Sequence, residues 1–513
     1  MRGYSAWTVG VLLVLGQVRA ADPQAKPVKD LWDAAYIGSA KIGTLHTTVR
    51  EVERNGEKRL RTTRELYLTI KRYRALIRVH AQFGSEETKE GKITAVFMTQ
   101  FKDKDHKLVM KGEVEEKGLH VTYDGGRVDR MIRWNDKVLS DYRQELLFNE
   151  RKVQAGDRLT LLSYDPQYNC VVTIRAVVKD KEEVDLLTAN KEGDKLRVSR
   201  VKVRLLRVEM KPDNIETPGK SIPVPGWVTW LDKDRQPVRS QLEMPGLGNV
   251  VLYRTTREVG LLPSSGEIPD LGTNTKIPLN RRLEQPNEAK NVVYRVTYKG
   301  DGDPATILAK DDRQEIKNVK GQTFELHVRA IRAPRAKEKA DPAKEEFLKT
   351  CYYLDSDNAQ VKALTNKAVG EESEPWKKAL AIETWVHKHL RHDDSVAFCP
   401  ASQVAENLKG DCRQHAMLMA AMCRAAGVAS RPAVGLVYDE DRKGSPALLY
   451  HMWTEVWIAG QWIALDATRG QGSVGAGHIK ITDSSWYKVE SEIPFLPVQR
   501  VLGKLSIEIV SVK

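Results

Sequence analysis

The first half of the chain alternates between apolar and polar positions with a period of two. In the stretch ELYLTIKRY, Leu66, Leu68 and Ile70 fall on one face while the residues between them are polar or aromatic. This pattern is typical of a half-buried strand. Asp-Gly-Gly at 124–126 predicts a tight hairpin between two such strands. Similar short stretches recur over residues 31–260, which we therefore interpret as an all-β N-terminal domain.

One stretch of this half breaks its own alternation. In RVSRVKVRLLRVEM the apolar positions change parity between Val198 and Val201 and again between Leu205 and Leu206. Such changes predict bulges or bends in a strongly curved sheet. No spacing in this half indicates catalytic chemistry or metal binding.

Residues 261–290, which include LLPSSGEIPDLGTNTKIPLN, are rich in Pro, Gly, Ser and Asn and are predicted to be a linker. The C-terminal domain is expected over residues 291–513. From Asp357 onward the apolar period becomes helical, and Pro375 marks the first turn of one predicted helix.

A second predicted helix begins at Cys412. Asp411 before it is a good N-cap residue, and Gly427 after it suits the C′ position. The helix is apolar nearly all round from Ala416 to Cys423, which predicts a buried central helix. Three strand-like stretches follow, RPAVGLVYD, YHMWTEVWIA and QWIALDA. A buried helix with an antiparallel sheet defines an α+β domain.

The composition narrows the possible classes of function. A length of 513 residues predicts two to three domains, and 41% apolar residues suffice for sizeable cores. The net charge is +13, but 82 basic residues are interleaved with 69 acidic ones. This suits a solvated surface, and we expect no nucleic-acid partner. No apolar run after the first residues reaches the roughly 18 needed to span a membrane, and the oligomeric state stays open.

The first residues, MRGYSAWTVGVLLVLGQVRAADPQ, indicate export. Arg2 precedes a short apolar run over residues 6–16, and Val18-Arg19-Ala20 is a small-x-small cleavage site. We predict a signal peptide over residues 1–20, cut after Ala20 or Ala21, and a secreted or periplasmic protein.

In an exported protein, the number of cysteines indicates whether a thiol stays free. An odd number of cysteines in an oxidising compartment leaves at least one free thiol. No Cys-x-x-Cys pair occurs. Cys412, in the first turn of its helix, is the candidate for a nucleophile, although a lone cysteine is more often a small core residue. Cys423 lies about 16 Å along the same helix face and is expected in the core. The five cysteines are Cys170, Cys351, Cys399, Cys412 and Cys423.

A histidine and an acid for Cys412 come from the last predicted hairpin. If Ala459-Gly460 forms its turn, His451 faces Thr468, and Asp466 is its diagonal neighbour on the same face. Diagonal Cβ atoms lie about 7–8 Å apart, which allows a His–Asp hydrogen bond. A nucleophile, a base and a group that orients the base form a catalytic triad.

The segments GDCRQHAMLMAAMCRAAGVASRPAVGLVYD, YHMWTEVWIAGQWIALDATRG and HIKI resemble the transglutaminase-like superfamily of papain-type fold. The resemblance covers residues 357–481. It assigns the superfamily's cysteine, histidine and aspartate to Cys412, His451 and Asp466, which are 39 and 15 residues apart. The chain departs from the superfamily at His392, where many members have tyrosine, and at Gln414, where an acid is common.

The resemblance implies acyl transfer on protein or peptide amides through a thioester. No cofactor or metal site is predicted from the residues, since no calcium loop with the required acidic spacing occurs, and any need for calcium stays open. The oxyanion would be held by the Cys412 backbone N–H and a second donor, for which Trp385 and Gln403 are candidates. The choice between a crosslinking transferase and a protease or amidase stays open. A non-catalytic envelope protein that binds or scaffolds is the alternative from another class.

Two further motifs resemble binding sites, but neither is predicted to bind a ligand. His387, His389 and His392 in HKHLRH are expected at a solvated helix end, because only the last two share a helix face. GQGSVGAGH lacks the strand and helix that a phosphate-binding loop needs.

Overall fold

The structure is a computed structural model that describes residues 27–73, 75–101, 107–193, 195–217, 220–244, 247–334, 341–441, 443–489, 491 and 493–513. The predicted signal peptide lies outside these residues. Within them, no helix combines the length and the apolar character that crossing a bilayer requires.

The N-terminal half is dominated by one large antiparallel sheet. Its elements are β1 (Lys29–Ile37), β2 (Ala40–Arg54), β3 (Glu57–Arg72), β4 (Ala75–Glu87), β5 (Ile93–Phe101), β6 (Lys107–Glu115), β7 (Gly118–Tyr123), β8 (Val128–Ile132), α1 (Asp141–Glu150), β9 (Arg158–Asp165), β10 (Cys170–Glu192), β11 (Lys195–Pro212), β12 (Ile215–Thr217), β13 (Lys220–Ile222), β14 (Trp227–Leu231), β15 (Pro237–Met244), β16 (Gly248–Thr255) and α2 (Arg257–Gly260). Fourteen of the strands form the sheet, in the order β8-β7-β6-β5-β4-β3-β2-β1-β16-β15-β14-β11-β10-β9. Most strands pair with their neighbour in sequence, and the predicted hairpin at 124–126 joins β7 to β8. The all-β character of this half is confirmed.

The two predicted irregularities of β11 have different outcomes. Residues 198–201 pair with β10 without interruption, so the bulge expected there is wrong. The register does shift between Val178 and Lys181 of β10, opposite Val208 and Leu206 of β11, so an irregularity lies beside the second change of parity. Leu205 and Leu206 point to opposite faces of the strand, and both are buried, in two separate apolar clusters. Burial on both faces therefore accounts for the second change of parity.

The rest of the chain alternates helices with short strands. Its elements are α3 (Leu271–Asn274), β17 (Ile277–Pro278), β18 (Asn291–Tyr298), β19 (Gln314–Lys320), β20 (Thr323–Arg329), α4 (Ala359–Val369), α5 (Pro375–His389), β21 (Arg391–His392), α6 (Ala401–Asn407), β22 (Lys409–Gly410), α7 (Cys412–Ala425), β23 (Ser430–Glu440), β24 (Pro446–Ile458), β25 (Gln461–Leu465), β26 (His478–Asp483), α8 (Leu496–Val501) and β27 (Leu505–Val512).

Helix α7 is the centre of this C-terminal region. It packs against β23 and β24 and is surrounded by α4, α5 and α6. The strands run in the order β17-β24-β23-β26, with β25 paired to β24, and a second sheet has the order β19-β20-β18-β27. The predicted buried helix and antiparallel sheet are confirmed as an α+β arrangement.

Residues 261–290, predicted to be a linker, contribute to the C-terminal sheet. Strand β17 pairs with the outer edge of β24. Leu283 is buried in the apolar cluster that holds β18 and β20. The domain boundaries within this segment stay a prediction.

The two halves share one apolar core. Strands β5, β6 and β7 contribute side chains to the same cluster as α4, α5, α6 and α7. The strand side chains in this cluster are Ile93, Val96, Met98, Leu108, Met110, Leu119, Val121 and Tyr123. Polar contacts lie beside it, with the Tyr352 hydroxyl donating to Asp124 at 2.7 Å. The N-terminal sheet thus shares an apolar core with the group of helices to which α7, the helix of Cys412, belongs.

Candidate active site

Cys412 is the first residue of α7, and the turn before it explains the Gly-Asp that precedes it. Gly410 has a φ of +153°, and a Cβ there would lie 2.4 Å from the Gln414 side chain. Asp411 caps the helix by accepting the Arg413 backbone N–H at 2.8 Å, while its own N–H donates to Gln414 Oε1 at 3.1 Å. This capping box fixes the first turn. Cys412 therefore sits in the first turn of the helix, beside backbone N–H groups that have no partner within the helix.

Two arginines neutralise the buried Asp411. Arg413 Nη2 lies 2.9 Å from Asp411 Oδ2, and Arg72 of the N-terminal sheet lies 2.5 Å from the same oxygen. Burial by itself would raise the pKa of Asp411, but the charges of Arg413 and Arg72 outweigh burial and lower it to about 2. The start of the helix thus carries a permanent carboxylate that is tied to both halves of the chain.

The last hairpin has the predicted register. Thr454 pairs with Leu465 across β24 and β25, which continues the pairing expected from a turn at Ala459-Gly460. His451 lies on β24, and Asp466 follows the last residue of β25. His451 Nε2 lies 2.8 Å from Asp466 Oδ2, so the two predicted side chains are hydrogen-bonded.

His451 connects this pair to Cys412. Burial would lower the pKa of His451, but Asp466 and Cys412, each through its charge and a hydrogen bond, raise it to about 10. Since Nε2 is used by Asp466, Nδ1 is the ring nitrogen left for the sulfur. Burial likewise opposes ionisation of Asp466, yet His451 and His478 hold the pKa of that carboxyl well below its usual range. The three predicted residues are therefore together, with a cationic imidazole between sulfur and carboxylate.

His478 is a second imidazole on Asp466 that the sequence analysis did not assign. Its Nε2 lies 3.1 Å from Asp466 Oδ2, and its ring packs edge-on against Trp453 with centroids 5.4 Å apart. Burial lowers the pKa of His478 to about 4, because the attraction of Asp466 does not compensate for lost hydration. The ring is thus neutral near pH 7, and its N–H donates to Asp466. The sequence signal was the HIKI segment, which contributed to the resemblance but gave His478 no role.

The same cluster is the one group, among the described residues, whose geometry could hold a metal ion. One ring nitrogen each of His451 and His478 and an oxygen of Asp466 lie within 4.8 Å of one another. Asp466 Oδ2 is already hydrogen-bonded to Nε2 of both histidines.

A buried ionic cluster lies farther along the same face of β24. Glu455 is 1% exposed, with Lys480 Nζ 3.0 Å and Arg431 Nη2 2.7 Å from its carboxylate. Burial would raise the pKa of Glu455, but Lys480 and Arg431 lower it to about 2. Asp483 binds both cations, at 3.1 Å from Lys480 and 2.8 Å from Arg431. These contacts join β23, β24 and β26, the strands around His451 and His478.

The other residues singled out from the sequence lie apart from this network. Trp385 stacks on His389 with ring centroids 4.2 Å apart, and the backbone carbonyl of Gln403 accepts a hydrogen bond within α6. Among the contacts of the described residues, none joins Trp385 or Gln403 to Cys412. His387 donates to the Ala467 carbonyl at 3.1 Å, while His392 pairs with Asp394, so the histidines of HKHLRH do not converge.

The five cysteines, all within the described residues, form no disulfide. Cys351 and Cys399, whose pairing the sequence left open, are therefore not joined. Arg424 lies 3.7 Å from the Cys351 sulfur. Cys423 is completely buried in the shared core, as expected.

The helix, the sheet and the Cys–His–Asp grouping define a thiol-enzyme type of site on an α+β fold. Residues 362–467 match the family model of the transglutaminase-like superfamily. The chain therefore carries a transglutaminase-like domain in its C-terminal region, and the resemblance drawn from the sequence is confirmed there.

The chain is also similar to individual proteins. An uncharacterised protein of Haemophilus influenzae is 33% identical over 97 residues, a match that spans 18% of this chain and 26% of that protein. A proposed cysteine protease of Cytophaga hutchinsonii is 18% identical, covers 42% of this chain and 83% of its own, and has a TM-score of 0.29. A β-barrel-like protein of Brucella abortus, from a domain family of unknown function, is 11% identical, with coverage of 44% and 95% and a TM-score of 0.28.

Proposed function

We propose that the chain is an exported thiol enzyme that performs acyl transfer or hydrolysis on protein or peptide amides through Cys412, His451 and Asp466. The observation that supports this most directly is the shared imidazole. His451 is bonded to Asp466 at 2.8 Å, and both Asp466 and Cys412 raise the pKa of its imidazole, with the sulfur at a helix N-terminus. Such a pairing suits a thiolate nucleophile with a charged general acid beside it.

The proposed chemistry proceeds in two halves. The Cys412 thiolate attacks the amide carbonyl carbon, and the carbonyl electrons move onto oxygen as the S–C bond forms. When the C–N bond breaks, His451 gives its proton to the departing ammonia or amine, which leaves a thioester. An amine or water then attacks the thioester, with His451 accepting the proton of that nucleophile, and the thiolate is regenerated. Asp466 stabilises the imidazolium and fixes the ring throughout.

Transferase and hydrolase share every one of these steps until the thioester is resolved. Only the exclusion of water and the fit of an amine at the acyl-enzyme separate the two reactions. We therefore propose acyl transfer or hydrolysis as one function with two possible acceptors, and the experiment decides between them.

The test uses the purified protein beside a Cys412→Ala variant, with a glutamine-rich protein and a fluorescent primary amine. Amine incorporation, free ammonia and new peptide termini are followed together. Cys412-dependent incorporation would show a transferase, and Cys412-dependent ammonia or cleavage alone would show a hydrolase. If none appears and Cys412 is also inert to iodoacetamide, the enzyme proposal fails and a binding or scaffold role takes its place.

A further inference from the structure

A strained turn of the N-terminal sheet lies beside the catalytic helix. Arg72 of β3 pairs with Ala75 of β4, so the two strands are joined by a two-residue turn. Tyr73, the first residue of this turn, has a φ of +46°. Such turns normally place asparagine, aspartate or glycine at positive φ, and a bulky aromatic residue there is an outlier. Backbone strain of this kind is retained mostly where it serves a site.

Three contacts hold the turn in place. Arg72 Nη2 lies 2.5 Å from Asp411 Oδ2, the N-cap carboxylate immediately before Cys412. The backbone N–H of Tyr73 donates to Asp270 at 2.8 Å. Gly272 lies flat against the Tyr73 ring, since a Cβ at that glycine would be only 2.7 Å from the ring. The turn is therefore fixed from both sides, by Asp411 immediately before Cys412 and by the segment 270–272.

The Tyr73 hydroxyl lies in the electrostatic surroundings of the sulfur. Burial raises the pKa of Tyr73 most, and Cys412 comes next among the groups that raise it, ahead of Asp394 and Asp411. Arg72 opposes them without reversing the shift. The phenol thus stays protonated at any working pH and has an O–H to donate.

Acyl transfer needs such a donor. The tetrahedral intermediate on a thiol enzyme carries an oxyanion that two hydrogen bonds typically stabilise, and the Cys412 backbone N–H supplies one. The two candidates from the sequence, Trp385 and Gln403, make their described contacts elsewhere.

We propose that the Tyr73 hydroxyl donates the second hydrogen bond to the oxyanion formed on Cys412, and that Arg72 positions Tyr73 through Asp411. The inference rests on the proposed function. It makes the N-terminal half a contributor to the active site, since a residue from the first sheet touches the reacting oxygen.

Two reagents separate this role from general effects on the thiol. With p-nitrophenyl acetate, Cys412 forms an acetyl thioester through an oxyanion, and p-nitrophenolate leaves with the electron pair. With iodoacetamide, the sulfur displaces iodide directly and no oxyanion forms. Mass spectrometry of the peptide that contains Cys412 separates both reactions from those of the other four cysteines.

Tyr73→Phe is the decisive variant, because it keeps the ring and removes only the O–H. Loss of one oxyanion donor typically costs about 10²–10³-fold in rate, and for an activated ester we expect at least a roughly tenfold slower acylation. Alkylation by iodoacetamide should stay within about twofold, since it involves no oxyanion. The matched control is Tyr67→Phe, which removes a hydroxyl bonded to Glu65 on the same strand. It should change neither rate.

Arg72 is tested as a positioning residue. Arg72→Ala should lower the ratio of acylation to alkylation, and Arg72→Lys, which keeps a cation for Asp411, should recover part of it. An Arg72→Ala variant with an unchanged ratio would remove the positioning role.

The outcomes distinguish this inference from the proposed function. If wild-type Cys412 is acylated faster than any other cysteine but Tyr73→Phe keeps the same ratio of rates, the oxyanion role is wrong and the thiol-enzyme proposal stands. If wild-type Cys412 reacts with neither reagent above the Cys412→Ala background, both proposals fall together.

Discussion

Charged side chains in the N-terminal sheet pair mostly at the surface, whereas those of the C-terminal sheet pair in the interior. In the first region Arg175 and Asp213 are bonded with side chains that are 62% and 41% exposed. In the second, His451 and Asp466 are 8% and 2% exposed. Burying a charge is costly unless the charge is paired and hydrogen-bonded. The buried polar contacts of the second region therefore stabilise charged forms, such as the His451 imidazolium, that burial alone would disfavour.

The two regions meet at an ion pair between Arg72 and Asp411. Glu86 is buried within the N-terminal sheet and is neutralised locally by Arg54 and Arg61. Arg72 instead pairs across to Asp411, 339 residues away in the chain. A cation of the N-terminal sheet therefore lies at the start of α7, next to Cys412.

The largest expected effect comes from the buried pair at the site. Asp466→Asn leaves His451 without a carboxylate, so the imidazolium loses its main support and the ring its orientation. We expect the rate of Cys412-dependent turnover to fall by about 10³–10⁴-fold with the fold retained. Steady-state kinetics with circular dichroism as a check on folding measure this. Asp213→Asn, in the exposed pair, should leave turnover unchanged, and an equal loss there would erase the contrast between the regions.

The buried ionic cluster around Glu455 should likewise contribute more to the free energy of unfolding than an exposed ion pair does. Glu455→Gln leaves Lys480 and Arg431 with less compensation in the interior, and we expect a loss of roughly 3–5 kcal/mol in the free energy of unfolding. Urea denaturation followed by tryptophan fluorescence measures it. Arg175→Ala is the surface counterpart and should not measurably alter stability. A Glu455→Gln variant as stable as wild type would show that the buried charges do not stabilise the fold.

The pH dependence follows from His451. Its pKa is raised to about 10 in the folded protein from an ordinary value of 6.5. The stabilisation it provides is therefore complete below pH 6.5 and is lost as pH rises toward 10. The stability difference between wild type and His451→Gln should shrink over this window, by a few kcal/mol in order of magnitude. Denaturation at pH 6 and pH 10 compares the two. Turnover should likewise decline near pH 10, and a constant stability difference would show that His451 is neutral throughout.

The smallest expected effect is that of replacing Cys423, the second cysteine of α7. Cys423 is completely buried, and burial raises the pKa of its thiol to about 12. Cys423→Ala should leave turnover unchanged and cost roughly 1 kcal/mol of stability through lost packing. Thermal unfolding and the turnover assay together check this. Loss of turnover without loss of stability would place chemistry at Cys423.

Local patterns were enough to predict much of the site. The Gly-Asp-Cys turn, the buried helix and the hairpin register each depend on residues close in sequence, and together they brought Cys412, His451 and Asp466 to one place. The bulge predicted between Val198 and Val201 was wrong, whereas the change of parity at Leu205 and Leu206 combines an irregular register with burial on both faces of the strand.

Long-range partners could not be predicted in this way. His478 reaches Asp466 from a separate strand, through the pairing of β23 with β26. Tyr73 and Arg72 reach α7 only through the docking of one sheet on another domain. Nothing in the spacing of these residues marks them, because their roles are set by tertiary packing.

The shared apolar core determines how the protein is assembled. The apolar cluster around helix α7 includes side chains of β5, β6 and β7, which are synthesised some 300 residues earlier. Neither half encloses this core alone, so we expect the two halves to stabilise each other. The surroundings of Cys412 are then complete only after both halves have folded.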